Sequence, residues 1–364
     1  MGRTIGIRHR VKKTAEGESH PTQVAIKEGK KVRLLDLPDE DAELQFVLGD
    51  YKGEGVREGD NLAMVLGGSG DYLAFALSRR AGEIGASIMR VPSFVLKNNR
   101  TTDSKDDDSS ELVRLAETSP NLFYPVTVRD LSLVKVRVAY SARIDAMKAR
   151  IACEQRLRQR TIGSIFCSPD GLVPEGGVEK AFEAKKANDA ILQALLSEEK
   201  ARERELASAV ESLDVFERVF SPVEGCGVKI AARMIAAIID IRRFATEPGF
   251  KKFCGVHVLS DGRFARRRSG EVANWQPDCR QALYLLGEQF NRRPDSVWGK
   301  KLREYKAKLR VAHPDVVVVE GKKRYTDGHI HKMAIWRTVT KFAEYVYMTW
   351  WDLEREVERQ KKVA

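Results

Sequence analysis

The stretch Asn61-Leu62-Ala63-Met64-Val65-Leu66-Gly67-Gly68-Ser69-Gly70-Asp71 decides the fold. Six apolar-rich residues in a row suit a buried strand, and the glycines that follow break it. Tyr72–Arg80 resumes as a helix carrying Leu73, Phe75 and Leu77. A buried strand, a glycine turn and a helix are the repeating step of an α/β domain. Working outward, Thr4-Ile5-Gly6-Ile7 is a short strand, and Gln23–Leu37 holds two more around Glu28-Gly29-Lys30-Lys31. Asp39–Leu48 is a short helix with acidic residues in its first turn. Ser87–Val91 is a strand ending at Pro92, and a helix is expected from about Asp106 to Glu117.

Strands in hairpin order, followed by strands alternating with helices, fit an α/β domain of ribonuclease H type over residues 1–125. From Val128 the pattern changes. Leu133, Val136, Tyr140, Ile144, Met147 and Ile151 recur at spacings of three and four, a helical stripe close to heptad. The break Gly163–Gly177 precedes a second long helix, Val178 to about Val219, with Ile191, Leu195, Leu206, Leu213 and Phe216 on one face. Its charged middle, Ser197–Glu205, is expected to be solvated. Residues 126–220 thus form an antiparallel helical, coiled-coil arm, either a plain spacer or a surface that pairs two copies of the chain. Beyond Ser221-Pro222, residues 221–364 give an all-α domain with helices at Lys229–Arg243, Asp278–Asn291, Trp298–Val311 and Ile330–Gln360. The aromatics of the last helix, among them Trp336, Phe342, Tyr345 and Trp350, are spaced as core residues. The fold class is α+β, multidomain.

The 364 residues carry a net charge of +11, which suggests a polyanionic partner. No apolar run approaches the ~20 residues of a bilayer span, and the N-terminus has no signal-type core, so a cytoplasmic protein with no membrane partner is expected. Five widely separated cysteines without a Cys-x-x-Cys pair are expected as reduced, mostly buried thiols.

The net positive charge lies in the residues after 220. Gly225-Cys226-Gly227-Val228-Lys229 has the form of a hairpin turn whose glycines admit a phosphate and whose Lys229 adds charge, or else of a tight interhelical turn. Arg266-Arg267-Arg268-Ser269-Gly270 is a phosphate-binding loop, or a site where the Ser269 hydroxyl attacks a phosphodiester beside three guanidinium groups. Arg292-Arg293, Lys300-Lys301, Lys322-Lys323-Arg324 and Lys332 extend the basic surface. His329 and His331, two residues apart, suit phosphate or RNA contact better than zinc. Asp108 and Glu111 belong to the dense carboxylate cluster 103–111. Three apart on a helix, they suit either a shared divalent metal or an acidic first turn facing the macrodipole.

The whole chain resembles the DEDD insertion-sequence transposases of the IS-one-ten type, the bridge-RNA-guided recombinases. The resemblance is carried by Val223-Glu224-Gly225-Cys226-Gly227, Ile238-Ile239-Asp240-Ile241-Arg242-Arg243-Phe244, Phe253-Cys254-Gly255-Val256, Arg268-Ser269-Gly270 and Arg280-Gln281-Ala282-Leu283, in the expected order. At the N-terminus, Asp108-x-x-Glu111-Leu112-x-x-Leu115-Ala116 stands where the family has Asp-x-x-Asp-Ala-x-x-Leu-Ala. The resemblance implies a RuvC-like domain, a coiled-coil arm and a C-terminal transposase domain. It also implies four metal-binding carboxylates, of which two have no counterpart here. The first corresponds to Arg8, and the glutamate position falls at about Gly67. Two-metal chemistry needs several anionic oxygens around cations about 4 Å apart, so a RuvC-like fold without efficient nuclease chemistry is expected. In architecture and lost carboxylates the chain also resembles the Tas proteins of tandem interspaced guide RNA (TIGR) systems, with a Nop-like C-terminal domain. The expected function is RNA-guided DNA binding by a homodimer or homotetramer, with a guide RNA and a target DNA as partners. No cofactor is needed for binding, and Mg²⁺ only for residual cleavage. The alternatives are an active transposase using Ser269 with Asp108 and Glu111, and a ribonucleoprotein scaffold that binds RNA alone.

Overall fold

The computed structural model describes residues 2–10, 19–171, 174–259, 262–266, 270, 273–319 and 321–363. It shows an α+β protein, mostly helical, with a mixed six-stranded sheet. Two compact units divide the chain: Met1–Leu131 with Ile239–Phe250, and Ser132–Ile238 with Lys251–Ala364. The segment Ile239–Phe250, placed beyond residue 220 by the sequence division, thus belongs with the N-terminal residues.

The N-terminal unit runs β1 (Thr4–Arg8), β2 (Thr22–Glu28), β3 (Lys31–Leu37), α1 (Glu40–Leu48), β4 (Asn61–Leu66), α2 (Asp71–Ile84), β5 (Ser87–Pro92), α3 (Ser93–Asn99), α4 (Asp108–Thr118) and β6 (Tyr124–Pro125). The sheet order is β3-β2-β1-β4-β5-β6. The first three strands are antiparallel, with Glu28 opposite Lys31 across the two-residue turn Gly29-Lys30. β4 and β5 lie parallel to β1, and the β4–β5 connection crosses over through α2. Alternate residues of β4 serve different cores, which explains its unbroken apolar run. Leu62 and Met64 pack with Ile5, Ile7, Phe46 and Leu77, whereas Ala63 packs with Val91, Leu96, Leu112 and Leu115. At Gly6 a Cβ would lie 2.0 Å from the Ser109 carbonyl oxygen, so only glycine lets α4 approach β1 this closely.

A buried ion network ties this unit together. Arg90 on β5 donates to Asp71 at 3.1 Å and faces Asp130 at 3.2 Å. Arg242 donates to Asp130 at 2.9 Å and to Asp240 at 2.6 Å, and stacks over Tyr124 at 4.6 Å. All five charged residues are buried. Burial works against the Asp130 charge, but Arg90 and Arg242 outweigh it and hold the carboxyl below its ordinary value.

The second unit contains most of α5 (Val128–Phe166), then α6 (Gly177–Asn188), α7 (Ala190–Glu211), α8 (Val228–Ile238), the end of α9 (Glu247–Phe253), α10 (Pro277–Arg292), α11 (Val297–Ala312), β7 (Val317–Val319), β8 (Lys322–Arg324) and α12 (Asp327–Val363). The stripe on α5 is buried at Leu133 and Val136 and half-buried at Tyr140, Ile144, Met147 and Ile151. The return limb departs from expectation. Asp189 interrupts it, accepting from the Leu192 amide at 2.8 Å to cap a new helix. The interruption turns Leu192 inward against Cys153, Leu157 and Phe182, and leaves Ile191 exposed. The charged middle is mostly exposed, as expected, with one exception. Glu199 is buried, 2.8 Å from Arg150, and Arg143 reaches Glu203 at 3.1 Å. Ion pairs rather than an apolar seam hold that stretch to α5.

The C-terminal residues are not all-α, because β7 and β8 form a small antiparallel hairpin. Helix α8 stops at Ile238 rather than Arg243, and Ile239 has φ +62, a conformation a β-branched residue rarely adopts. Phe290, Trp298, Phe342 and Tyr345 form an aromatic cluster, and fully buried Trp350 meets Phe220 edge-on. Cys153, Cys226, Cys254 and Cys279 are buried free thiols, and Cys167 is exposed. Among the described residues no helix is long and apolar enough to cross a membrane.

Candidate functional site

Sites on open α/β sheets lie beyond the carboxyl ends of the parallel strands. In the N-terminal unit that edge holds the positions where the resemblance implies metal ligands. Arg8 closes β1 and pairs with Asp106 at 3.0 Å. Gly67 follows β4 directly, with φ +83, and Cδ and Nε of Arg243 lie 2.6 Å from where its Cβ would be. Arg243 therefore occupies the space an acidic side chain would need. Asp108 opens α4, and Arg100 grips both its oxygens, Nε at 2.5 Å and an Nη at 2.7 Å. Glu111 accepts from the Thr101 hydroxyl and from Arg114 at 2.7 and 3.0 Å. Burial opposes the Glu111 charge, but Thr101 and Arg114 prevail and hold its pKa below the usual value. The carboxylates proposed as a metal pair are each committed to an arginine instead. Among the described residues no group of three or more His, Cys, Asp or Glu stands ready to hold a metal ion. The donors at this edge do not fit a two-metal centre.

Other side chains gather there. Ser69, in the turn between β4 and α2, places its Oγ 2.9 Å from His9 Nδ1. His9 follows β1, and its Nε2 is 3.4 Å from Oε1 of Glu43 on α1. The Thr22 hydroxyl donates to the same Glu43 oxygen at 2.5 Å and accepts from the Arg10 amide at 2.8 Å.

In the second unit the expected nucleic-acid residues fall into separate groups. Arg266, Arg324 and Lys332 lie near enough to His329 for their charges to act on it. Burial is the main reason its pKa is lowered, and these three cations with His313 push it further down. His329 stacks on Tyr325, which stacks on His313 at 3.8 Å, and His329 Nδ1 accepts from the Tyr325 amide at 3.0 Å. The result is a concentration of positive charge around a rigid ring stack. Lys323 is exposed on β8 nearby in sequence, and His331 is half-buried one position before Lys332. Burial, then Lys306, lowers the His331 pKa.

Gly225 sits instead against Gln289 of α10 and Arg293 just after it, with Arg292 exposed beside them, and Gly227 faces open space. Lys300 is exposed on α11, and Lys301 lies over the Trp298 ring at 5.6 Å. Lys229 is turned to Glu203 at 2.5 Å, in a depression lined also by Ser197, Lys200 and Arg204. Arg267, Arg268 and Ser269, and the Lys322 side chain, lie outside the described residues.

No protein-family model matches the chain, and no curated protein is similar enough to count as a match. The geometry is therefore the guide.

It assigns a part to residues that sequence reasoning passed over. Arg280 is sandwiched between Trp275 and Trp336 at 4.4 and 4.6 Å, and donates to the carbonyls of Gly255 and Ala265 at 2.6 Å. It thereby fixes the chain that leads into Arg266. Arg280-Gln281-Ala282-Leu283 stood out as a motif, but its two tryptophans lie 5 and 56 positions away. His9, Ser69 and Glu43 come from three elements, and no local spacing joins them.

Proposed function

We propose that the chain is an RNA-guided DNA-binding protein of the transposase and Tas kind, whose N-terminal unit keeps a RuvC-like sheet without its two-metal chemistry. The observation that carries this is the make-up of the sheet's carboxyl edge. Arg8 and Gly67, the latter covered by Arg243, stand at two ligand positions, and Arg100 clamps Asp108 at a third. Carboxylates committed to arginines at that edge are not free to hold a pair of divalent metal ions. The strand order, an antiparallel trio followed by parallel crossovers, supports the ribonuclease H type.

The guide RNA is held by the second unit, where the charges of Arg266, Arg324 and Lys332 act on His329. Base pairing supplies sequence specificity, and the protein contacts backbone and shape. Exposed Val138, Phe166 and Ile191 on the α5 and α7 helices support pairing of two copies through the arm.

The test is to purify the protein from cells that express it with its native locus and to sequence the bound nucleic acid. A discrete structured RNA is expected. The loaded protein should then shift duplex DNA matched to that RNA and not a scrambled duplex. Recovery of no small RNA, or equal shifts of both duplexes, defeats the proposal.

A further inference from the structure

The edge that lacks metal ligands carries a different set of groups. Ser69 Oγ, His9 and the Glu43 carboxylate form a line across three elements, with separations of 2.9 and 3.4 Å. A carboxylate only accepts, so the tautomer assigned to His9 carries its proton on Nε2 toward Glu43. Its Nδ1 lone pair then faces the Ser69 hydroxyl. Thr22 anchors the Glu43 end, itself held by the Arg10 amide.

The His9 and Glu43 side chains are only 13% and 9% exposed, whereas Ser69 is open to solvent. Burial foremost lowers the His9 pKa. Glu43, a hydrogen bond to the Arg10 backbone and Asp71 pull it up, and the Arg10 charge pushes it down. The net shift is downward, so the ring is neutral at pH 7, as a general base must be. Ser69 lies where a strand turns sharply into a helix. Gly67 and Gly68 before it have φ of +83 and +99, and the 14-residue α2 starts two residues after it. A strand–turn–helix that raises a serine above a sheet beside a helix N-terminus is the geometry of an acyl-transfer nucleophile.

We propose that Ser69, His9 and Glu43 form a metal-independent site that cleaves carboxylic esters. The Ser69 oxygen bonds to the ester carbonyl carbon, the carbonyl π pair moves onto its oxygen, and the Oγ proton passes to His9 Nδ1. The tetrahedral adduct collapses and breaks the carbon–oxygen bond to the alcohol, which leaves with the proton from Nδ1. Water then attacks the acyl-serine, giving one proton to His9, and the acid departs as that proton returns to Ser69.

The charges favour a carboxylic ester over a phosphodiester. An ester carbonyl develops one negative charge, which the α2 N-terminus and the Arg243 side chain against Gly67 can share. A phosphodiester already carries one and gains more. Arg8 is engaged by Asp106, and Arg10 by Glu40 and Glu43. The inference stands apart from guide binding and uses none of the residues assigned to it.

The test is to treat the full-length protein with a fluorophosphonate probe, locate the adduct by tandem mass spectrometry, and follow 4-nitrophenyl acetate hydrolysis. Labelling at Ser69 and an initial burst of nitrophenol are expected. Ser69→Ala, an exposed position, should abolish both without changing the circular dichroism spectrum. His9→Ala should slow labelling by about 100-fold or more. Glu43→Gln should lower the rate and move the acid limb of its pH profile to lower pH, because Glu43 raises the His9 pKa. Absence of label on Ser69, equal labelling of the His9→Ala protein, or ester hydrolysis that survives Ser69→Ala each overturns the proposal. So does turnover of bis(4-nitrophenyl) phosphate without turnover of the ester.

Discussion

Replacing Arg90 by methionine should destabilise the N-terminal unit by about 3–5 kcal/mol, the usual cost of breaking a buried ion pair. The Arg90 side chain is 2% exposed and lies between Asp71 at 3.1 Å and Asp130 at 3.2 Å. Methionine keeps much of the packing against Phe75, whose ring lies 5.6 Å from the guanidinium carbon, but takes the Arg90 charge away from buried Asp71 and Asp130. At roughly 2–4 °C per kcal/mol, the transition of this unit should fall by about 10 °C in calorimetry. The loss should also depend on pH, with a definite sign. The folded pKa of Asp130 lies below its ordinary 3.8, so this group stabilises the native state above that value. The contribution is lost as pH falls through the folded pKa. Without Arg90 the carboxyl pKa rises, and protonation relieves the variant first. The gap between wild type and variant should therefore be widest near pH 7 and shrink toward pH 4. Urea titrations at several pH values measure it. A gap below about 1 kcal/mol, or one that does not vary with pH, would refute the electrostatic account.

Gly67→Ala should cost about 1–3 kcal/mol, because alanine is strained at φ +83 and meets Arg243; urea denaturation reads the loss. Arg324→Ala and Lys332→Ala should each weaken RNA binding and lower the slope of log affinity against log salt by about one, measured by filter binding from low to high salt. Lys229→Ala should leave that slope unchanged, since Lys229 is already paired with Glu203; a drop of about one would place it on phosphate.

The sequence made much of the sheet legible, and the reason is local. Asn61–Leu66 is apolar on both faces because helices cover both, and Glu28–Lys31 is a turn because Gly29 takes φ +61. Long-range charge was not legible. The run Ser197–Glu205 has the composition of a solvated face, yet Arg143 and Arg150, about fifty positions earlier, bury Glu199. Likewise Asp108 has the spacing of a metal ligand, and only folding shows Arg100 gripping it, whereas Arg114, three residues after Glu111 on the same helix, could have been read from spacing. Lys229 was expected at phosphate for the same reason: spacing displays a charge but not its counter-charge. The basic residues that do converge, Arg266, Arg324 and Lys332, are brought together by the β7–β8 hairpin and the start of α12.

The discontinuity of the N-terminal unit has a consequence for biosynthesis. Asp240 and Arg242 complete its ion network, but a little over a hundred residues of other structure separate them from Leu131. At a translation rate of about 5–20 residues per second, the nascent sheet waits roughly 5–20 s for its last partners to leave the ribosome. During that interval Asp130 and Arg90 must remain hydrated or be shielded by a chaperone. A polypeptide truncated before residue 239 should be cleared by proteases, even though every strand of the sheet has been made.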